Sequence, residues 1–269
     1  MECQPCSIDA IQHLMDEYLQ GLSSPFDSFL EEHILSSAFY VITDESGEIG
    51  YFAIHPNELL TQFYISRSSL MHAQAVFGQI MGQYAIKSLF VPTCDELLIS
   101  LMLDNAFTAN LQAYFFQDGR VYTEESSIRD HEVFRVANPD DLPQVQSTCG
   151  DFLDAYERRI ANGEIFVYYR GADLLGIGIA EQSKLLPGTA SIGMFVGEAF
   201  RKQGVGTAII VALRQWCASR GIRPISGCWY YNEHSKKTLE KAGMVTRTRL
   251  LNVQTNQGAE GTEAEGIEA

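Results

Sequence analysis

Residues 201–206 read Arg-Lys-Gln-Gly-Val-Gly, two glycines set between a basic pair and the apolar run TAIIVALRQW. Glycine is a poor residue with which to begin a helix, so its double use here needs a reason. One reason is a tight strand-to-helix turn. The other is chemical. The first turn of a helix holds N–H groups without intrahelical partners, at the positive end of its dipole. Glycine lets an oxyanion reach that backbone with no Cβ in the way. Arg201 and Lys202 would either add charge-assisted contacts or stand solvated. The stretch lacks the GxxxxGK[ST] pattern of nucleoside-triphosphate loops, and no GxGxxG opens a leading strand–helix unit. A second polar segment, NEHSKKTLEKAG from Asn232, opens another helix one strand later.

The surrounding pattern supplies the elements that would hold such a loop. EVFRV reads as a strand, followed by a helix with Asn138 as cap and Pro139 at its first position, and 151–162 fits a further amphipathic helix. Strands at 164–170 and 174–182 form a hairpin about Gly171-Ala172-Asp173, and 189–196 is a third strand. The run after the glycines is helical and stops at Gly221. A strand, RPISGCWY, the NEHSKK helix and MVTRTRLLNVQT as one or two strands complete the half. The first half repeats the rhythm: a strand pair in 39–55, a strand at 59–66, a helix at 73–81 and a strand at 86–94. Where the second half has FRKQGVGTA, the first has SRSSLMHAQ, without glycine. The expected fold is mixed α/β, a mostly antiparallel sheet flanked by helices in two tandem copies.

With both motifs placed, residues 131–255 resemble the GNAT superfamily of acyl-CoA-dependent N-acyltransferases. Arg201 to Gly206 matches that family's [RQ]xxGx[GA] pyrophosphate loop. Asn232, Ser235, Glu240, Lys241, Gly243 and Met244 fall at the corresponding places of its NxxAxxLYEKxGF helix. The resemblance implies that the fourth and fifth strands part. Pantetheine would pair with the backbone of Phe195 and Val196, and the pyrophosphate would meet the amides of Gln203, Gly204, Val205, Gly206 and Thr207. Asn232 and Ser235 would lie near the pantetheine arm or thioester. It implies acetyl-CoA as co-substrate, no metal, and an amine acceptor on a small molecule or protein. Family members often use a tyrosine of that helix as the acid for the departing thiolate, and here the position is Leu239. The role then passes to Tyr230, Tyr231 or water, and Glu181 is the best-placed carboxylate for a base. Leu239 also admits a second reading, a non-catalytic acyl-CoA sensor or interaction module.

Composition bounds the rest. The net charge is −15, distributed as 4 basic against 18 acidic residues in 1–130 and 15 against 16 in 131–269. Nucleic-acid or anionic-membrane binding is therefore not expected. An anionic ligand belongs in the second half, and the acidic first half would favour cationic acceptors. No apolar run reaches membrane-spanning length, and the N-terminus lacks the basic region of a secretory signal. The six cysteines form no disulfide framework or zinc pattern, with Cys3/Cys6 as a lone CxxC. A cytoplasmic monomer or homodimer is expected. The expected division is 1–130 as a degenerate GNAT-like domain without the glycine loop, 131–255 as the acetyltransferase domain, and 256–269 as a disordered acidic tail.

Overall fold

A computed structural model of the chain describes residues 1–119 and 131–256. The chain divides into two compact units, Met1–Tyr114 with the segment from Thr248, and Phe115–Arg247. Of the expected tail, only residue 256 lies within the described residues. No helix among the described residues is long and apolar enough to cross a membrane.

Unit 1 contains β1 (Glu2–Cys6), α1 (Gln12–Gly21), α2 (Ser28–Leu35), β2 (Ala38–Asp44), β3 (Gly47–His55) and β4 (Leu59–Ile65). These are followed by α3 (Ala73–Gln83), β5 (Ser88–Pro92), α4 (Glu96–Asp104) and the start of β6 (Thr108–Asp118). Unit 2 contains β7 (Glu132–Val136), α5 (Leu142–Cys149), α6 (Tyr156–Ala161), β8 (Ile165–Arg170), β9 (Asp173–Gln182) and β10 (Thr189–Val196). After these come α7 (Val205–Ala218), β11 (Arg223–Trp229), α8 (Glu233–Lys241) and the start of β12 (Met244–Gln254). The hairpins, the glycine-loop helix and the NEHSKK helix thus stand where the sequence places them. The stretch 151–162 is broken instead. It forms a short 3-10 turn, then a helix only over Tyr156–Ala161. Gly150 at φ 53° ends α5 and turns the chain away.

The strand order is β1-β2-β3-β4-β5-β12 in unit 1 and β6-β11-β10-β9-β8-β7 in unit 2. Pairing is antiparallel in β1–β2–β3–β4, β5–β12 and β7–β8–β9–β10, and parallel in β4–β5 and β10–β11. The compact units do not follow the repeat to its last strand in either half. Phe115–Asp118 of β6 belong to unit 2, and β12 from Thr248 belongs to unit 1. There Leu250–Gln254 pair with Ser88–Pro92 of β5, and Val253 is fully buried in the core around α3 and α4. Leu250 and Val253 are buried while Leu251, Asn252 and Gln254 are only partly so, a half-buried pattern that either sheet could take.

The two units repeat one another at the level of contacts. Gly50 of β3 pairs with Ile65 of β4, and Gly176 of β9 pairs with Val196 of β10. A Cβ on Gly50 would collide with the Tyr64 carbonyl oxygen, and one on Gly176 with the Phe195 carbonyl oxygen. These close approaches leave only glycine at both positions.

Unit 1 stores two buried carboxyls at helix caps. Asp27 accepts the Leu30 N–H at 3.2 Å and Asp95 the Leu98 N–H at 2.9 Å. Burial raises both to about 6 from an ordinary 3.8. The folded chain therefore holds these protons more tightly than the unfolded one. Their contribution to stability is complete below about pH 4 and is lost as pH rises through about 6. Asp95→Asn keeps the cap without the charge. We expect its melting temperature to exceed the parent's at pH 8, with the difference closing towards pH 4, as scanning calorimetry would show.

Candidate functional site

The site in unit 2 begins with two neighbouring strands that part. β10 stays in register with β9 as far as Val196, but pairs with β11 only from Thr189 to Ser191. From Ile192 onward its other edge has no strand pairing with β11. The Gly197 N–H donates to the Leu175 carbonyl at 2.9 Å. Backbone groups in an antiparallel ladder alternate in direction, so Phe195 also turns its N–H and C=O towards β9. Met194 and Val196 turn theirs to the gap. Of the expected pair, Val196 thus faces the gap and Phe195 faces β9, with Met194 the other gap-facing residue.

The chain leaves β10 through a turn in which Lys202 and Gly204 both have positive φ, 61° and 85°. Such alternation turns successive N–H groups into an anion-binding concavity. Gly204 precedes α7, and no side chain caps the helix. The first helical bond runs from the Ala208 N–H to the Gly204 carbonyl at 3.0 Å. The amides of Val205, Gly206 and Thr207 are those that helix geometry leaves without an intrahelical acceptor.

The two glycines do different work. A Cβ on Gly204 would meet nothing within 4 Å, so its role is conformation and access. A Cβ on Gly206 would stand 3.1 Å from Thr238 Cγ2 and 3.4 Å from Val196 Cγ2. Gly206 therefore lets α7 settle closely against α8 and β10. Gly206→Leu should consequently lower thermal stability by forcing α7 away from α8 and β10, whereas Gly204→Ala should cost about 1–2 kcal/mol through left-handed backbone strain alone, both readable by differential scanning fluorimetry.

The side chains around the loop are less committed to phosphate than the backbone. Arg201 folds back, its Nε donating to the Val196 carbonyl at 3.3 Å with the guanidinium 5.9 Å from the Phe195 ring centre. Gln203 donates to the Ala199 carbonyl at 3.0 Å. Lys202 is exposed. Gln203, Gly204, Val205 and Thr207 line a cleft of about 290 Å³ that also receives Lys241 from α8. Its far wall is Glu132, which accepts Arg170 Nη2 at 3.0 Å and the Tyr168 hydroxyl. Lys241 adds a cation beside the amide cluster, and the sequence named it only as a motif position.

The catalytic candidates fall on one face or near it. In the register, Glu181 lies opposite Ser191 and Ser191 opposite Ile225, so these side chains share a face with Phe195 and Trp229. This is the face covered by α5 and α6, where Phe195 packs beside Val145 and Ile177. Glu181 Oε1 lies 3.5 Å from Arg159 Nη1, and Arg159 also pairs with Asp154 at 3.0 Å and Glu164 at 3.2 Å. Tyr230 is half-buried and Tyr231 is 61% exposed, with their rings 5.2 Å apart. The Asn232 side chain accepts the Ser235 N–H at 3.0 Å and so caps α8. Its carbonyl oxygen is thereby engaged in the helix cap. Leu239 is buried at 2% and offers no proton.

A mixed sheet whose central parallel pair parts beside an uncapped helix start defines the class of fold. Residues 7–119 match the Acetyltransferase (GNAT) domain family, and residues 131–244 match the Acetyltransferase (GNAT) family. The chain therefore carries two GNAT acetyltransferase domains in tandem. No curated protein matches it by sequence. Among solved structures, an acetyltransferase from the GNAT family of Colwellia psychrerythraea superposes with a TM-score of 0.85 at 18% identity, over 95% of this chain and 100% of the other. A GCN5-related N-acetyltransferase from Sphaerobacter thermophilus gives 0.65 at 9% identity, over 94% and 95%. A tandem GNAT protein from the clavulanic acid biosynthesis pathway gives 0.61 at 11%, over 96% and 98%. At these identities the likeness concerns the fold.

Proposed function

We propose that unit 2 binds acetyl-CoA and transfers its acetyl group to a primary amine. The observation that carries this reading is the coincidence of the β10–β11 gap with the open amides of Val205, Gly206 and Thr207. The gap offers pantetheine a strand edge that does not pair with β11, and the helix start offers N–H donors and a positive dipole end to pyrophosphate. In the reaction the neutral amine nitrogen attacks the thioester carbonyl. The C–N bond forms, the C–S bond breaks, the amine loses a proton and the thiolate gains one.

Glu181 serves as base or as the anchor of a relaying water, oriented by Arg159. Tyr230, Tyr231 or water protonates the thiolate, since Leu239 cannot. Unit 1 has no glycine between β4 and α3; a 3-10 turn over Arg67–His72 leads into that helix instead. It takes no acetyl-CoA, and the chain binds one equivalent. Glu181→Gln is expected to lower kcat by about 10²-fold while leaving acetyl-CoA affinity unchanged. Thiol release and calorimetry read the two quantities separately. The buried Leu239 favours one other reading, an acyl-CoA sensor. Binding of one acetyl-CoA with no thiol release across a broad amine panel would establish it in place of the enzyme.

A further inference from the structure

The geometry points to an acceptor that joins a primary alkylamine to an aromatic ring, the ring lodging between Phe195 with Phe152 on one side and Trp229 on the other. The inference rests on the acetyl-CoA reading of unit 2 and names the acceptor class for that site.

Unit 1 shows how the same place is filled when no ligand is needed. There Tyr18 of α1 is buried, packed edge-on against Tyr51 at 6.3 Å and Tyr64 at 6.1 Å between ring centres. Burial and the nearby Asp95 carboxyl at the cap of α4 push its hydroxyl well above the usual phenol range. Gln62 of β4 completes the plug, wholly buried and reaching the Met15 sulfur at 3.6 Å. A phenol ring thus occupies the α1 side of the sheet where β4 and β5 part.

The matching side chains in unit 2 are smaller. From the equivalent pairs Gly50–Ile65 and Gly176–Val196, Tyr51 corresponds to Ile177, Tyr64 to Phe195 and Gln62 to Gly193. Tyr18 lies eleven residues after its cap Ser7, and the residue eleven after the cap Asn138 is Cys149. α5 ends there, at Gly150. Bulk has been withdrawn while aromatic surface remains. Phe152 is 44% exposed with its ring 4.8 Å from Phe195, and Trp229 is 58% exposed with Tyr231 at 5.1 Å. Two aromatic pairs thus stay partly in water beside the two strands that border the gap, and paired exposed rings are more informative than single ones. A ligand ring on this face takes the role that Tyr18 plays in unit 1. The carboxylates gathered on Arg159 outnumber its charge three to one, which suits an approaching ammonium group.

The test compares 2-phenylethylamine with butylamine and spermidine. We expect kcat/KM for 2-phenylethylamine to be at least tenfold higher than for either aliphatic amine. Trp229→Ala should erase that advantage. Gly193→Gln restores the bulk that Gln62 gives unit 1, and a Cβ there meets only Ile179 Cδ1 at 3.7 Å. It should raise KM for 2-phenylethylamine at least tenfold with acetyl-CoA affinity unchanged. Quenching of Trp229 fluorescence by 2-phenylethylamine, absent in Trp229→Ala, reads the aromatic site without acetyl-CoA. Equal turnover of the three amines, a preference for spermidine, or no quenching would overturn the inference. Quenching in a protein that fails to bind acetyl-CoA would support the aromatic site and overturn the acetyltransferase reading instead.

Discussion

Gly204→Asp should weaken acetyl-CoA binding at least a hundredfold, a loss of about 2.7 kcal/mol, with little change in folding. The substitution puts a carboxylate at the cap of α7, where an aspartate oxygen accepts the N–H groups of the first turn. Those are the groups assigned to pyrophosphate, so the side chain competes for them and repels the ligand. Stability changes little because two effects oppose. Aspartate at φ 85° carries about 1–2 kcal/mol of left-handed strain, and the new cap returns about 1 kcal/mol. Space is no obstacle, since a Cβ at this position meets nothing within 4 Å. Calorimetric titration with acetyl-CoA and a melting curve separate binding from folding. Gly204→Ala, which adds strain without charge, should lose only a few-fold in affinity.

The largest effect on folding belongs to Arg214. This arginine of α7 is 3% exposed and donates to Asp118 through Nε at 3.0 Å and through Nη2, and to the Ala242 carbonyl through Nη1. It holds the end of β6 and the last turn of α8 to α7, all within unit 2. Arg214→Met leaves Asp118, 11% exposed, without its counter-charge. Removing one partner of a buried pair costs about 3–5 kcal/mol, which should lower the urea midpoint and the melting temperature together. Replacing both partners, with Asp118→Leu added, should recover much of the loss because no buried charge is stranded.

The sequence displays the local devices of this fold and hides the long-range ones. The alternation in IFVYYRGADLLGIGIAEQ, the caps Asn138 and Asn232 and the glycines of the α7 loop act within a few residues of themselves, so they can be read directly. The division of Gly204 and Gly206 into an access position and a packing position depends on Thr238, more than thirty residues away. The assignment of β12 from Thr248 to unit 1 is likewise invisible, because the half-buried pattern of LLNVQ suits either sheet. The choice of Met194 and Val196 for the gap required the Gly197–Leu175 hydrogen bond, a fact of register. Phe152 and Trp229 carry no local signal, because exposed aromatic residues look the same as core ones in a sequence. The weak repeat held the only signal, since glycine and cysteine stand where its first copy has glutamine and tyrosine.

Titration of ¹⁵N-labelled protein with acetyl-CoA, followed amide by amide, tests the central claim most directly. The account predicts saturation at one equivalent, with the largest shifts at the amides of Gly204, Val205, Gly206 and Thr207 and further shifts at Met194 and Val196. The amides at the start of α3, Ala73 to Ala75, should remain unmoved. Shifts centred on α3, or none at the start of α7, would contradict it.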